Sequence, residues 1–290
     1  MDYTLLLIVV LLVVIGLVIL YSTSAYNGQV KFHDSFYYLK KQAFATVLGI
    51  VLMLFVAGMD YHIWQRLAVF GYLAAVALSV AVMLFGREIN GSKRWLALGP
   101  FSFQPSEFAK VALILFLADL VTKNLKTIGK MWTLCRIMFW ILPIVGLVGA
   151  SNLSTAIIIL GIGVILIFVA SPKYAQFALM GIAGACFMGI FLALESYRLE
   201  RLAIWRNPEK YEKGYQTLQG LYAIGSGGVF GVGIGNSVQK LGFVPEAQND
   251  MIFSIICEEL GLAGAGIIVF LFLLLIWRCL LYTSDAADDS

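Results

Sequence analysis

Apolar residues run in long blocks along this chain, and polar residues collect between them. Eight blocks are long enough to cross a hydrocarbon layer: 4–21, 42–59, 66–86, 106–122, 132–150, 153–170, 174–194 and 251–278. A span needs about 17–25 apolar residues. Lipid offers no partner to backbone polar groups, so each block must close its own hydrogen bonds as a helix. The pattern predicts an all-α integral membrane protein, a polytopic bundle with eight transmembrane helices. Ser171–Lys173, "SPK", is a helix stop and sets a tight turn between the sixth and seventh. The connections are unequal: 22–41 and 87–105 are of medium length, whereas 195–250 is one long polar loop. A connection of that length is either functional or disordered. This one keeps Trp205, Tyr211, Tyr215, Leu218, Leu221, Tyr222 and Phe230, which favours an ordered surface element. Within it, Tyr215, Leu218, Leu221 and Tyr222 recur at helical spacing, the pattern of a short helix lying on the bilayer.

Composition agrees. The 290 residues are 61% hydrophobic and 13% charged, with a mean hydropathy of +0.90, where soluble domains are about 45–50% apolar and about 25% charged. A net charge of +3 leaves no electrostatic footprint for nucleic acid. Cys135, Cys186, Cys257 and Cys279 lie in apolar blocks without metal-ligand spacing and read as small core hydrophobes, neither disulfides nor ligands. "STSA" after the first block resembles a signal-peptide cleavage site. Leu5–Leu20 is long for such a segment, however, and Asp2 is the only charge before it, so a retained membrane helix is expected. The closing "YTSDAADDS" breaks the composition. Residues 279–290 are set apart as a fragment end or artefact, and 1–278 are taken as a single membrane domain. With the N-terminus in the cytoplasm, the inner side holds Arg66, Lys123, Lys126, Lys130, Arg136, Lys173 and Arg278, and the outer loops hold more. The densest short cluster, 123–136, orients the N-terminus inward. The outer cations suit an anionic ligand.

Charge inside the blocks turns the picture from spans to a site. An Asp at a helix centre costs at least ~2.5–3.5 kcal/mol on insertion scales. Yet "FVPEAQNDMIFSIICEELG" (Phe243–Gly261) puts Glu246 and Asp250 in the lead-in to the last block, and Glu258 and Glu259 two turns inside it. Asp250 is either an N-cap, with Asn249 competing, or a functional carboxylate. Glu258 and Glu259, ~12 Å further along, face a bundle interior or a watery cavity. They read as structural, Glu259 accepting from backbone or hydroxyl groups. In "GPFSFQPSEFAKVALILFLADL", Pro105 precedes the helix, Ser106 is a candidate N-cap, and Lys110 follows about one turn in. Lys110 either pairs with Glu107 at i,i+3 or snorkels to the interface, or it meets a cross-helix partner such as Asp250. Helices four and eight begin on the same membrane face by parity. "GSGGVFGVGIG" (Gly225–Gly235) follows no strand and is no phosphate-cradling loop. It marks close backbone packing or unusual dihedrals near a ligand. "NGSKRWLALG" (Asn90–Gly99) offers Lys93, Arg94 and Trp95 as an interfacial anchor belt or as a contact for a diphosphate and prenyl chain.

Three motifs in order, "NGSKRWLALGPFSFQPSEFAK", "GYQTLQGLYAIGSGGVFGVGIGNSVQK" and "VPEAQNDMIFSIICEELG", closely resemble the SEDS family of shape, elongation, division and sporulation proteins. The wording "GNSVQK…PEAQND" is more similar to the FtsW and SpoVE branch than to RodA. The resemblance covers the chain to about residue 278. It implies a peptidoglycan glycosyltransferase that polymerises lipid II on the outer face of the bacterial cytoplasmic membrane. It implies ten membrane helices, of which eight are present here, both termini in the cytoplasm, and an extracytoplasmic loop at 195–250. By this resemblance Asp250 is the catalytic aspartate and Lys110 the helix-four lysine, with Glu246 and Trp95 as motif residues. The chain departs from the family pattern at Asn249, where Thr is commoner, at Met251, where Phe is commoner, and at "SNLSTA" (Ser151–Ala156), which replaces "PDLGTA". None of these removes a catalytic group.

In the implied reaction the 4-hydroxyl of an acceptor sugar attacks the anomeric carbon of a donor, and a lipid diphosphate leaves. That needs a base at the hydroxyl and positive charge on the diphosphate. Asp250 is the expected base, kept ionised by a neighbouring Lys110. Lys93, Arg94 and Arg201 are expected at the diphosphate, Gln216 and Gln219 at sugar hydroxyls or amides. A divalent cation, Mg2+ or Mn2+, could share the diphosphate, although the sequence holds no closed metal site. The implied partners are a class B penicillin-binding protein and other divisome or elongasome proteins. Two rivals stand beside this reading. One is a lipid-linked precursor flippase or transporter, against which the polar groups cluster at the outer face and no pair of broken half-helices lies at midplane. The other is a non-catalytic division scaffold whose loop 195–250 binds a partner.

Overall fold

The computed structural model describes residues 2–89, 92–98, 101–171, 173, 175–178, 181 and 203–288. Its helices are α1 (Tyr3–Phe32), α2 (Tyr37–Ala57), α3 (Tyr61–Phe85), α4 (Pro105–Lys123), α5 (Met131–Ser151), α6 (Leu153–Ala170), α7 (Tyr215–Gly227) and α8 (Ile252–Asp288). Among the described residues, α1, α2, α3, α5, α6 and α8 are long and apolar enough to cross a membrane. The fourth expected span is the helix α4, which carries Glu107, Lys110, Asp119 and Lys123. The seventh, 174–194, lies largely outside the described residues, as do Arg201 and Cys186. Of the other cysteines, Cys257 is buried, but Cys135 and Cys279 sit on exposed helix faces rather than in a core.

Three local features differ from the sequence reading. The connection 87–105 is an antiparallel meander of β1 (Arg87–Ile89), β2 (Ser92–Leu98) and β3 (Phe101–Phe103). A stretch this short shows too little alternation to announce itself as strands. Helix α1 runs past the end of its apolar block to Phe32, because nothing there breaks a helix until His33 turns left-handed at φ 55°. Thirty residues reach about 45 Å, beyond a hydrocarbon core of about 30 Å. Its last turns project Thr23, Ser24 and Gly28 into buried positions. At α4 the N-cap is Gln104, not Ser106. Pro105 takes the first helical position, where its fixed φ fits and its missing N–H costs nothing.

The chain divides into two compact units, residues 59–191 and residues 1–58 with 192–290. In the first, Tyr72 of α3 stacks on Phe116 of α4 at 4.4 Å and donates to the Trp140 carbonyl of α5 at 2.8 Å. Around them Leu113, Leu117, Ile137, Ile141, Ile144 and Ile159 are fully buried. Asp119 is buried beside this core, accepting from Gln65 Nε2 at 2.9 Å and Lys123 Nζ at 2.6 Å. Asp119→Ala would remove the buried carboxylate that both Gln65 and Lys123 donate to, and hydrogen bonds to a charged group are worth about 1.5–3 kcal/mol. A lower unfolding midpoint in detergent is expected, with a smaller drop for Lys123→Ala because that ammonium is 62% exposed.

In the second unit α1 and α8 lie antiparallel, each end of one meeting the opposite end of the other. Arg278 Nε meets Asp2 at 2.7 Å at one end, and Ser22 meets Glu259 at the other. Ile19, Ile256 and Ile268 pack between them. The final helix continues to Asp288 through the residues set apart as a tail.

Candidate active site

Gly261 interrupts α8, with φ 68° and ψ −170°. A break in a membrane helix frees carbonyls on one side and N–H groups on the other, and lipid satisfies neither. The glycine run does. Val232 and Gly233 N–H donate to the Glu258 and Glu259 carbonyls at 2.9 Å each, while Leu262 and Ala263 N–H donate to the Gly228 and Val229 carbonyls at 3.0 Å each. At its closest points this approach admits only residues without Cβ atoms. A Cβ on Gly227 would sit 1.9 Å from the Cys257 carbonyl, and one on Gly231, at φ 79°, would sit 2.2 Å from that of Glu259. The glycine run thus provides the close packing and unusual dihedrals its sequence indicates. Upstream, α7 lays Gly220, Ala223 and Gly227 inward as a small-residue stripe against α8. The expected short helix is present, with Tyr215, Leu221 and Tyr222 exposed and Leu218 half-buried.

The four carboxylates of Phe243–Gly261 separate by their partners. Glu259 is buried, with Ser22 Oγ 2.7 and 2.8 Å from its two oxygens and Lys240 Nζ at 2.7 Å. Lys240 is also buried and reaches Ser22 Oγ at 3.0 Å. Glu258 accepts from Ser237 Oγ, from Val238 N–H at 3.1 Å and from Gln239 N–H at 3.5 Å. Both are structural, as expected from the sequence. Glu246 adopts a left-handed φ of 51° and accepts from Asn249 Nδ2. Asp250 is exposed, like Glu246, but it alone of the four has no hydrogen-bond or ion-pair partner among the described residues. It does not cap α8. The N–H of Ile252 goes to the Asn249 carbonyl at 3.4 Å.

Beside Asp250, Asn249 and Ile252 enter the wall of a cavity of about 410 Å3 between α1, α2 and the start of α8. Gly16, Leu17 and Leu20 form an apolar side, and Tyr38, Lys41 and Gln248 a polar one. Gln248 is fixed by Asn27 Nδ2 at 3.1 Å. Gln216 and Gln219 are half-buried on α7, whose Gly220 backs onto the Met251 side chain.

Lys110, Lys93, Arg94 and Trp95 belong to the first unit. Lys110 Nζ lies 2.7 Å from Glu107, the i,i+3 pair. Lys93 is exposed on β2 and Trp95 half-buried. Arg94 turns to the carboxyl end of α5 and donates to the Ser151 carbonyl at 3.2 Å, a favourable place for a cation. Sequence reasoning missed Lys240. The signal was there: a buried Glu259 demands a counter-charge, and "GNSVQK" places one lysine at the end of the glycine run.

The family model of the FtsW, RodA and SpoVE cell cycle proteins matches residues 3–290. The chain belongs to this family. Stage V sporulation protein E of Bacillus subtilis strain 168 is 37% identical over 300 residues, covering 99% of the chain and 80% of the relative. A probable peptidoglycan glycosyltransferase FtsW of Saccharophagus degradans is 31% identical over 295 residues, covering 100% and 76%. Among solved structures, a chain from work on structural coordination of polymerization and crosslinking by a peptidoglycan synthase complex has a TM-score of 0.74 at 29% identity, covering 96% of this chain and 76% of that one. The rod shape determining protein RodA of Thermus thermophilus has a TM-score of 0.63 at 26% identity, covering 96% and 73%. Like the family, this FtsW/RodA/SpoVE protein is a multi-pass protein of the bacterial cytoplasmic membrane.

Proposed function

We propose that this FtsW/RodA/SpoVE protein is a peptidoglycan glycosyltransferase that polymerises lipid II, with Asp250 as its general base. Family membership and relatives named as peptidoglycan glycosyltransferases carry the reaction class. One observation carries the base: of the four carboxylates in Phe243–Gly261, three are held by hydrogen bonds and Asp250 is left open. A base must have a free lone pair within reach of the proton it takes.

In the step itself, the acceptor's 4-oxygen forms a bond to the donor's anomeric carbon as the bond from that carbon to the diphosphate oxygen breaks. The hydroxyl proton passes to Asp250 and the diphosphate leaves with the electron pair. Inversion of an α-linked donor yields the β-1,4 bond. Lys110, paired with Glu107, is assigned a catalytic role by the family resemblance, Lys93 and Arg201 are assigned to the diphosphate, and Gln216 and Gln219 to the sugars. Arg94 anchors the strand that carries Lys93 and Trp95, and Glu246 shapes the turn before Asp250. An Mg2+ or Mn2+ bound with the substrate would supply further positive charge at the diphosphate. The proposed partner is a class B penicillin-binding protein, supported by the likeness to the synthase complex.

The rival transporter reading gains one feature, the broken α8. But four backbone groups freed at the break go to the glycine run and are not left for a passing substrate. The test is lipid II polymerisation in liposomes by the full-length protein, with its penicillin-binding protein disabled in transpeptidation. Glycan chains from wild type and none from Asp250→Asn or Lys110→Ala support the reading. Equal polymer from Asp250→Asn removes the base, and lipid II flipping without polymer favours a transporter.

A further inference from the structure

Asp250 sits on a closed ring of backbone. Residues 237–240 are fastened to α8 through Glu258 and Glu259. The chain then runs through 241–251 and enters α8 itself at Ile252. Both ends of the segment that carries Asp250 are therefore fixed to one helix. Within the ring, Val244 N–H donates to the Gln239 carbonyl at 2.9 Å, Asn249 N–H donates to that of Glu246 at 2.9 Å, and Val244 and Ala247 are buried.

The clasp of this ring is an ion pair almost wholly out of solvent. Lys240 and Glu259 are 2.7 Å apart with side chains 7% and 0% exposed, and Ser22 of α1 lies against both. Buried pairs of this kind rarely add stability over apolar residues of the same size, because desolvation offsets the attraction. What such a pair does supply is one geometry: a charge that finds its partner in a single arrangement. A Lys and a Glu at this depth are otherwise hard to account for.

We propose that Lys240, Glu259 and Ser22 are positioning residues for the glycosyl transfer: their buried contact sets where the 241–251 turn, and with it Asp250, is held. This rests on the reading of Asp250 as base. A misplacement of about 1 Å at a reacting group costs on the order of 100-fold in rate. Glu259→Gln and Lys240→Met, assayed as full-length protein with its partner in liposomes, are expected to lower kcat for lipid II about 10–100-fold with KM changed less than twofold. Lys240→Arg, which keeps the charge, recovers most of the rate. The double variant Lys240→Met with Glu259→Leu leaves no unpaired buried charge and guards against simple misfolding. It too is expected to fold and to lose kcat.

A second readout does not depend on what Asp250 does. Amide hydrogen exchange over residues 241–251 is expected to speed up at least tenfold in the variants while α5 and α6 are unchanged. Wild-type kcat per folded molecule, or unchanged exchange in this turn, overturns the proposal, as does a raised KM at constant kcat. If Asp250→Asn is fully active while exchange in the turn does accelerate, the base assignment fails and the clasp stands as the element that orders the turn.

Discussion

Asp250→Asn is expected to cut lipid II polymerisation by about 10²–10⁴-fold, the usual contribution of a positioned general base, while the protein folds and holds its partner as before. The two halves of this expectation come from the same structural fact. The Asp250 side chain is exposed and, among the described residues, unpartnered, so an amide of the same shape breaks no contact. Exposed substitutions of that kind stay within about 0.5 kcal/mol. What the amide cannot do is accept the acceptor's proton as the new bond forms. Glu246→Gln makes the comparison. Its side chain accepts from Asn249 and its backbone shapes the turn, and a glutamine keeps an acceptor oxygen there, so a smaller loss is expected. Full polymerisation by a folded Asp250→Asn, read as glycan strands on a gel, would sink the base assignment.

The second large effect is expected at the bridge across the broken helix. Gly231→Ala would place a Cβ 2.2 Å from the Glu259 carbonyl oxygen and 2.6 Å from the Gly261 nitrogen. Both are backbone atoms, which no side-chain rotation can move aside. The φ of 79° adds strain, about 1–3 kcal/mol for a residue forced into such a region. Relief requires the glycine run to lift away, and then the freed backbone groups of α8 lose partners in a place where lipid cannot replace them. Gly261→Ala meets the same wall from the other side, 2.4 Å from the Gly231 nitrogen and the Val229 carbonyl oxygen. Gly235 separates the two causes. It has a similar φ of 87° but open space where its Cβ would go, so Gly235→Ala carries dihedral strain alone. Thermal unfolding in detergent is expected to rank Gly231→Ala and Gly261→Ala well below Gly235→Ala. Equal midpoints would mean that the bridge is not needed to hold the break.

The fold was largely legible in the sequence because lipid reduces the structural menu to helices and hydropathy marks where they run. The α6 block, 153–170, coincides with the helix itself. Where polarity and helicity part company the pattern loses the boundary, as at residues 22–32 of α1. The carboxylates were legible as a group, since charge in an apolar block is costly wherever it falls. Their division into three engaged and one open was not, because it depends on Ser22, Ser237 and Lys240, two of them brought from the loop and one from a helix at the far end of the chain. The break at Gly261 was hidden for a related reason. A glycine inside an apolar helix is ordinary in membrane proteins, and only the glycine run beside it reveals that the helix opens there.

The contact between Ser22 and Glu259 also sets a clock. Its partners lie 237 residues apart in the chain, and at a synthesis rate of about 5–20 residues per second α1 is in the membrane for roughly 10–50 s before α8 exists. Through that interval the hydroxyls near the carboxyl end of α1 have no carboxylate to meet, and Asp2 at the other end awaits Arg278. The nascent protein thus spends much of its assembly with its earliest helix unmated. The closing of that pair, rather than the insertion of either helix alone, is the event that joins the two ends of the second unit.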